Sequence, residues 1–415
     1  MSDMIRVLYA SHDSSASLCP VTDFGPETAE TVRRFHRSFP EYAPTALHQL
    51  SSLAEKLGVA EIMIKDESTR FGLNAFKVLG GSYAIGHHIA GMLGIDPALM
   101  TRDLLISEDT RKKLGDLTFI TATDGNHGRG VAWTAKQLRQ HCVVYMPAGT
   151  AAERLENIRR LGADASIPGP GYDDCVRLAA KHARENGWVL TQDTSWNGYE
   201  EIPLRIMQGY TTMALETAEQ LGDTVPTHVF LQAGVGSMAG AVAAFLAARY
   251  GQARPKIIVV EPHSADCVYR TAEAADGKPH PVTGPMETIM AGLACGEVCP
   301  LAWKILRDHA DAFVTIPDSF AMQGMRMLGN PVGTDPVTVS GESGASGFGL
   351  ALQLLSDPAL RETKDALGVN KDSRILCFST EGATDRENYD RIMKDPIKGG
   401  IPAADPGISS LFLHQ

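Results

Sequence analysis

The chain has 415 residues, 44% hydrophobic and 21% charged, with a net charge of -11. That length exceeds what one small core organises, so two domains are expected. The acidic balance argues against nucleic acid or an anionic membrane as a partner. No apolar run approaches the roughly 18 residues of a membrane span. The first residues, Met1 to Val7, lack the apolar core of a signal peptide. Cysteines 19, 142, 175, 267, 295, 299 and 377 are scattered, and only Cys295 and Cys299 lie close. Reduced thiols in a cytoplasmic protein are therefore expected, with no metal site or disulfide framework.

In chain order, residues 1–40 read as an irregular arm. A turn over 42–47 leads to a short helix through Lys56. Residues 61–65 read as a strand, followed by a polar, glycine-containing loop that ends at Lys77, where a helix with Val78, Ile85 and Ile89 at helical spacing should begin. From about 117 the chain alternates. Strands are expected at 118–122, 142–146, 163–167 and 188–192, and helices at 126–140, 152–161 and 172–186. This is the signature of βαβ units around a parallel sheet. A second series follows, with helix 207–221, strand 228–232, helix 237–250 and strand 256–261. The stretch 271–296 reads as loop. Then come helix 301–309, strand 312–316, helices 318–328 and 345–356, strand 374–379, and a loose Gly/Pro tail at 396–409. The fold class is α/β, with two open, twisted, mainly parallel sheets flanked by helices. The domains expected are 1–89 with 196–415, and 90–195.

A lysine at a helix start is electrostatically misplaced, because the positive end of the helix dipole repels its ammonium. That field and burial favour the neutral amine, a nucleophile able to form a Schiff base. The alternative is a surface lysine that follows a turn. Gly234-Val235-Gly236-Ser237-Met238 follows an apolar strand and opens a helix. Its glycines can turn backbone N–H groups toward an anion, and the helix dipole adds to them; a ligand-free tight turn is the other reading. The loop also approaches a dinucleotide fingerprint, but Ala239 stands where its third glycine is expected. Thr123-Asp124-Gly125-Asn126-His127 is a second strand-to-helix turn. Thr123 and Asn126 can donate to an anion there. Asp124 reads equally as a helix N-cap or as a general base or acid, and His127 as a loop support. Ser340–Ser346 and Phe378–Gly382 are hydroxyl-rich turns without the pattern of a nucleophile elbow.

Together these words resemble the fold type II, tryptophan synthase β-like enzymes that use pyridoxal 5'-phosphate. They are most similar to the diaminopropionate ammonia-lyase family. The words are KDESTRFGLNAFKVLGG, TATDGNHGRGVAW, QDTSWNGY, QAGVGSMAG, IMAGLACGE, SGESGA and STEG, spread over about residues 40–390. The wider family usually carries serine or alanine where this chain has Asp124. The resemblance implies that Lys77 holds the cofactor and Phe76 lies by its ring. Asn126 then meets the phenolic oxygen, and Gly234, Val235, Gly236, Ser237 and Met238 cradle the phosphate. Thr380, or less readily Ser379, meets the pyridine nitrogen.

The implied reaction is elimination of ammonia from both isomers of 2,3-diaminopropionate, a small amino-acid substrate, to give pyruvate and two ammonia. Lys77 serves as base for the L isomer and Asp124 for the D isomer. Asp193 is a further candidate for the β-ammonium contact, or a loop cap. A homodimer is the expected assembly. The rival readings are a serine or threonine dehydratase of the same fold, and a dinucleotide-dependent dehydrogenase built on 228–261.

Overall fold

The computed structural model describes residues 5–11, 18–123, 125–169 and 171–394. Asp124 and the tail at 396–409 lie outside the described residues. Among the described residues, eleven strands form two sheets. In chain order they are β1 (Arg6–Tyr9), β2 (Ala46–Gln49), β3 (Glu61–Asp66), β4 (Thr118–Ala122), β5 (His141–Pro147), β6 (Asp164–Gly169), β7 (Val189–Leu190), β8 (His228–Gln232), β9 (Lys256–Pro262), β10 (Ala312–Ile316) and β11 (Arg374–Ser379). The seven-stranded sheet has the order β1-β10-β9-β8-β11-β3-β2, and the four-stranded sheet β6-β5-β4-β7. Only the edge strands β1 and β2 run antiparallel to their neighbours. All other pairs are parallel. Buried strands such as β8 (HVFLQ), β10 (AFVTI) and β11 (RILCFS) are near-continuous apolar runs, as strands covered on both faces should be.

Three expectations need correction. The first 40 residues are not simply an arm: β1 joins the large sheet, and Pro26–Arg37 is a helix with proline in its first turn. Its apolar stripe is only Ala29, Val32 and Phe35, diluted by charges in the sequence, yet all three are buried. Arg33 is buried as well, paired with Glu30 and Glu219. The looped stretch after 271 begins inside a helix, Cys267–Ala274. Glu261 stabilises that helix start by accepting N–H bonds from Val268 and Tyr269 at 2.8 and 2.7 Å. Ala46 and Leu47, expected in a turn, belong to β2. Short helices at Glu108–Leu114, Arg361–Leu367 and Arg386–Lys394 are additional.

Helix Val78–Leu93 packs between helices Asn126–Gln137 and Glu201–Leu221. Close approach is made possible by glycine. A Cβ at Gly130 would lie 2.8 Å from Val78 Cα, and one at Gly80 would lie 2.6 Å from the Tyr210 ring. This packing fixes the helix end that carries Lys77. No helix among the described residues is long and apolar enough to cross a membrane.

Candidate active site

The carboxyl ends of β4, β5, β7, β8 and β11 open on one cavity of about 490 Å3. In open α/β sheets this is the edge where ligands bind. The segment that carries Lys77 leaves β3 through tight 3-10 turns over Glu67–Gly72, with positive φ at Phe71 and Gly72 and, just beyond them, at Asn74. It is then strapped to the turn after β11. Phe76 N–H donates to Thr380 O, and Gly382 N–H to Asn74 O, both at 3.0 Å. Lys77 stands directly before helix Val78–Leu93, as the sequence predicts.

Lys77 Nζ donates to Asp193 Oδ2 at 2.5 Å. Burial alone would raise the Asp193 carboxyl. The Lys77 ammonium and His127 outweigh that and pull it down to about 2. His127 itself is buried with Nε2 at 2.8 Å from Thr191 O, the support role expected of it. The start of helix Asn126–Gln137 is capped from Thr123, whose hydroxyl accepts the N–H groups of Gly125 and Gly128 at 2.9 and 3.1 Å. Asn126 lines the cavity and donates from Nδ2 to Glu381 Oε2.

The residues from Gly234 to Met238 also line the cavity, at the start of helix Ser237–Tyr250. Gly236 has φ of 90°, a conformation that costs any other residue about 1 kcal/mol or more. A Cβ at Gly234 would lie 3.0 Å from Cys295 Sγ and 3.2 Å from Gly292 O. The first amides of a helix have no partner within it, so this turn presents donors. The Ser237 hydroxyl is engaged elsewhere, donating to Asp193 O at 2.8 Å. Phe76 lines the wall, its ring 4.8 Å from that of Tyr210. Thr380 also lines the cavity, its hydroxyl accepting from Gln232 Nε2 at 2.9 Å. Ser379 does not line it and donates to Ser340 Oγ at 2.8 Å.

The described candidates Lys77, Phe76, Asn126, Asp193, 234–238 and Thr380 therefore converge on one cavity. Tyr210, Arg154, Glu342 and Glu381 also line it without having been singled out from the sequence. Both glutamates lie in motifs read for their hydroxyls, so the signal was present. Tyr210 sits mid-helix and reaches the cavity only through the space left at Gly80.

An amine beside a carboxylate, an aromatic wall and a glycine anion cradle are what an aldehyde-bearing, phosphorylated cofactor requires, and these residues fit pyridoxal phosphate. The fold and cavity define the class: an α/β enzyme of fold type II. The model of the pyridoxal-phosphate dependent enzyme family matches residues 39–372, and the chain belongs to that family. Among curated relatives, a diaminopropionate ammonia-lyase of Salmonella typhimurium is 50% identical over 366 residues, 87% of this chain and 91% of that one. One of Escherichia coli is 47% identical over 373 residues, 89% and 92% of the two chains. A holo crystal structure of the Escherichia coli diaminopropionate ammonia lyase superposes with a TM-score of 0.87 at 44% identity, covering 94% of this chain and 97% of that one. The cofactor class is thereby settled as pyridoxal phosphate, and the dinucleotide reading of 228–261 falls.

Proposed function

We propose that the chain eliminates ammonia from D- and L-2,3-diaminopropionate. The observation that carries this reading is the Lys77–Asp193 pair facing the glycine cradle, in a chain half identical to a diaminopropionate ammonia-lyase. Pyridoxal phosphate, when bound, supplies a carbonyl for the substrate amine and an electron sink that acidifies the Cα proton. Lys77 would hold it through Nζ. The amides of Gly234, Val235, Gly236, Ser237 and Met238 would hold its phosphate, Phe76 would flank its ring, Asn126 would meet the phenolic oxygen and Thr380 the pyridine nitrogen. A neutral threonine hydroxyl does not keep that nitrogen protonated as an aspartate would, which suits elimination with a fast-leaving group. Lys77 Nζ, as a neutral amine, would take the Cα proton of the L isomer. Asp124 takes that of the D isomer. Asp193 would meet the substrate's β-ammonium while Lys77 is uncharged. Loss of the β-amine as ammonia gives aminoacrylate, and water converts this to pyruvate and a second ammonia.

We further infer a small domain at 90–195 around the four-stranded sheet, and a large one from 1–89 and 196–415. A cytoplasmic homodimer completes the reading. Turnover tests it directly. Each isomer should yield one pyruvate and two ammonia, faster than serine or threonine is consumed. Faster turnover of serine or threonine would make the protein a dehydratase. An Asp124→Asn variant should lose about 10²-fold or more of its D-isomer kcat, the range of a lost general base, and keep its L-isomer rate. Full D-isomer activity in that variant would remove Asp124 from the mechanism.

A further inference from the structure

We propose that Glu381 is a positioning residue for Asn126, and that the Ser340–Ala345 turn serves to hold this carboxylate in place behind the cofactor. The inference rests on the proposed contact between Asn126 and the cofactor's phenolic oxygen. Glu381 is 3% exposed. Its Oε2 accepts from Asn126 Nδ2, and from Thr384 Oγ1 at 3.4 Å. Its Oε1 accepts the Ser343 N–H at 3.1 Å, and its backbone O accepts the Gly341 N–H at 2.8 Å. The glycines of the turn allow this closure. A Cβ at Gly341 would lie 3.0 Å from Glu381 Cγ, and one at Gly344 would lie 2.8 Å from Glu381 O. The SGESGA word, which supplies no reacting group, thus acquires a physical role.

Three donors converge on the Glu381 carboxylate, two from side chains and one from backbone. Its buried neighbour Glu342 accepts from Asn388. Burial and the Glu381 charge push Glu342 up to about 7. Asn126 turns its NH2, and not its carbonyl, toward the Glu381 oxygen. One N–H is then fixed, which leaves the other oriented as a donor for the cofactor oxygen. The contact also spans the cleft: Asn126 follows β4 of the small sheet, and Glu381 follows β11 of the large one.

The test is a double-mutant cycle read by binding of pyridoxal phosphate to the apoprotein and by the absorption spectrum of the bound cofactor. Glu381→Gln should weaken binding about tenfold, as loss of an orienting outer partner commonly does, and shift the absorption maximum or its pH midpoint. In an Asn126→Ala background the same substitution should change affinity less than about twofold, since coupled residues are non-additive. Glu381→Asp, which keeps the charge, should retain more affinity than Glu381→Gln; it also carries the cycle if the glutamine variant does not fold. Unchanged affinity and spectrum in Glu381→Gln, or equal losses in both backgrounds, would overturn the proposal. Failure of the wild-type protein to take up the cofactor would instead overturn the reading on which it rests.

Discussion

Lys65 and Lys77 lie twelve positions apart in one segment, and each meets a buried carboxylate. Lys65 is the more deeply buried, its side chain 0% exposed against 19% for Lys77. Its Nζ donates to Thr45 O and Glu216 Oε2 at 2.9 Å and to Gln220 Oε1 at 3.0 Å. Arg70 binds the same Glu216 and also Glu67, which closes a buried ionic cluster. Burial lowers the Lys65 pKa, against the pull of Glu216 and Glu67. A depressed lysine is often taken as the sign of a nucleophile. Here the depressed lysine does not line the active-site cavity, and the lysine proposed to do the chemistry lines it together with its carboxylate partner. What separates structure from catalysis in this segment is access, more than burial or charge.

The comparison is broken most directly by exchanging the two losses. Lys77→Ala should lower kcat at least about 10³-fold, as expected when a nucleophile and base is removed, with little change in urea unfolding. Lys65→Met should cost about 3 kcal/mol in urea unfolding, because the Glu216 carboxylate stays buried with fewer cations, and should leave cofactor attachment intact. The reverse pattern would mean that the roles are misassigned.

Asp193→Asn should have the next effect, a fall in kcat of about 10²-fold. It also carries a pH signature. The Asp193 carboxyl is depressed from 3.8 to about 2. The pair's contribution is therefore present above about pH 4 and lost as pH falls through about 2. Thermal unfolding of the apoprotein from pH 2 to pH 5 should be steeper in pH for the wild type than for the variant.

The smallest effect concerns Glu342, and its sign is opposite. Its carboxyl is raised from 4.5 to about 7. The folded protein binds that proton more tightly, so the contribution is full below pH 4.5 and lost as pH rises through about 7. Glu342→Gln should flatten the pH dependence of the melting temperature between pH 5 and 7, a change on the order of 1 kcal/mol. An unchanged slope would show that Glu342 does not titrate in this window.

Much of this frame is legible in the sequence, for identifiable reasons. Strands β4, β8, β10 and β11 match the expected bounds because each is a short apolar run closed by a turn. The Lys77 and Gly234 segments stand out because local backbone chemistry, a helix start and a glycine turn, marks them. Helix Pro26–Arg37 escapes because its three buried apolar residues stand among arginines and glutamates, one of which, Arg33, is itself buried. Asp193 could be read only as a cap or a contact, since its partner Lys77 is 116 positions away. The pairing of Glu381 with Asn126, 255 positions apart, is silent for the same reason. Long-range pairing is where sequence pattern ends and tertiary structure begins.

The central claim is that access makes Lys77, and not Lys65, the lysine that holds the cofactor. Borohydride reduction of the holoprotein followed by peptide mapping tests it. The account predicts a pyridoxyl label on Lys77 alone and none in the Lys77→Ala variant. A label on Lys65, or no covalent label on a cofactor-loaded protein, would contradict it.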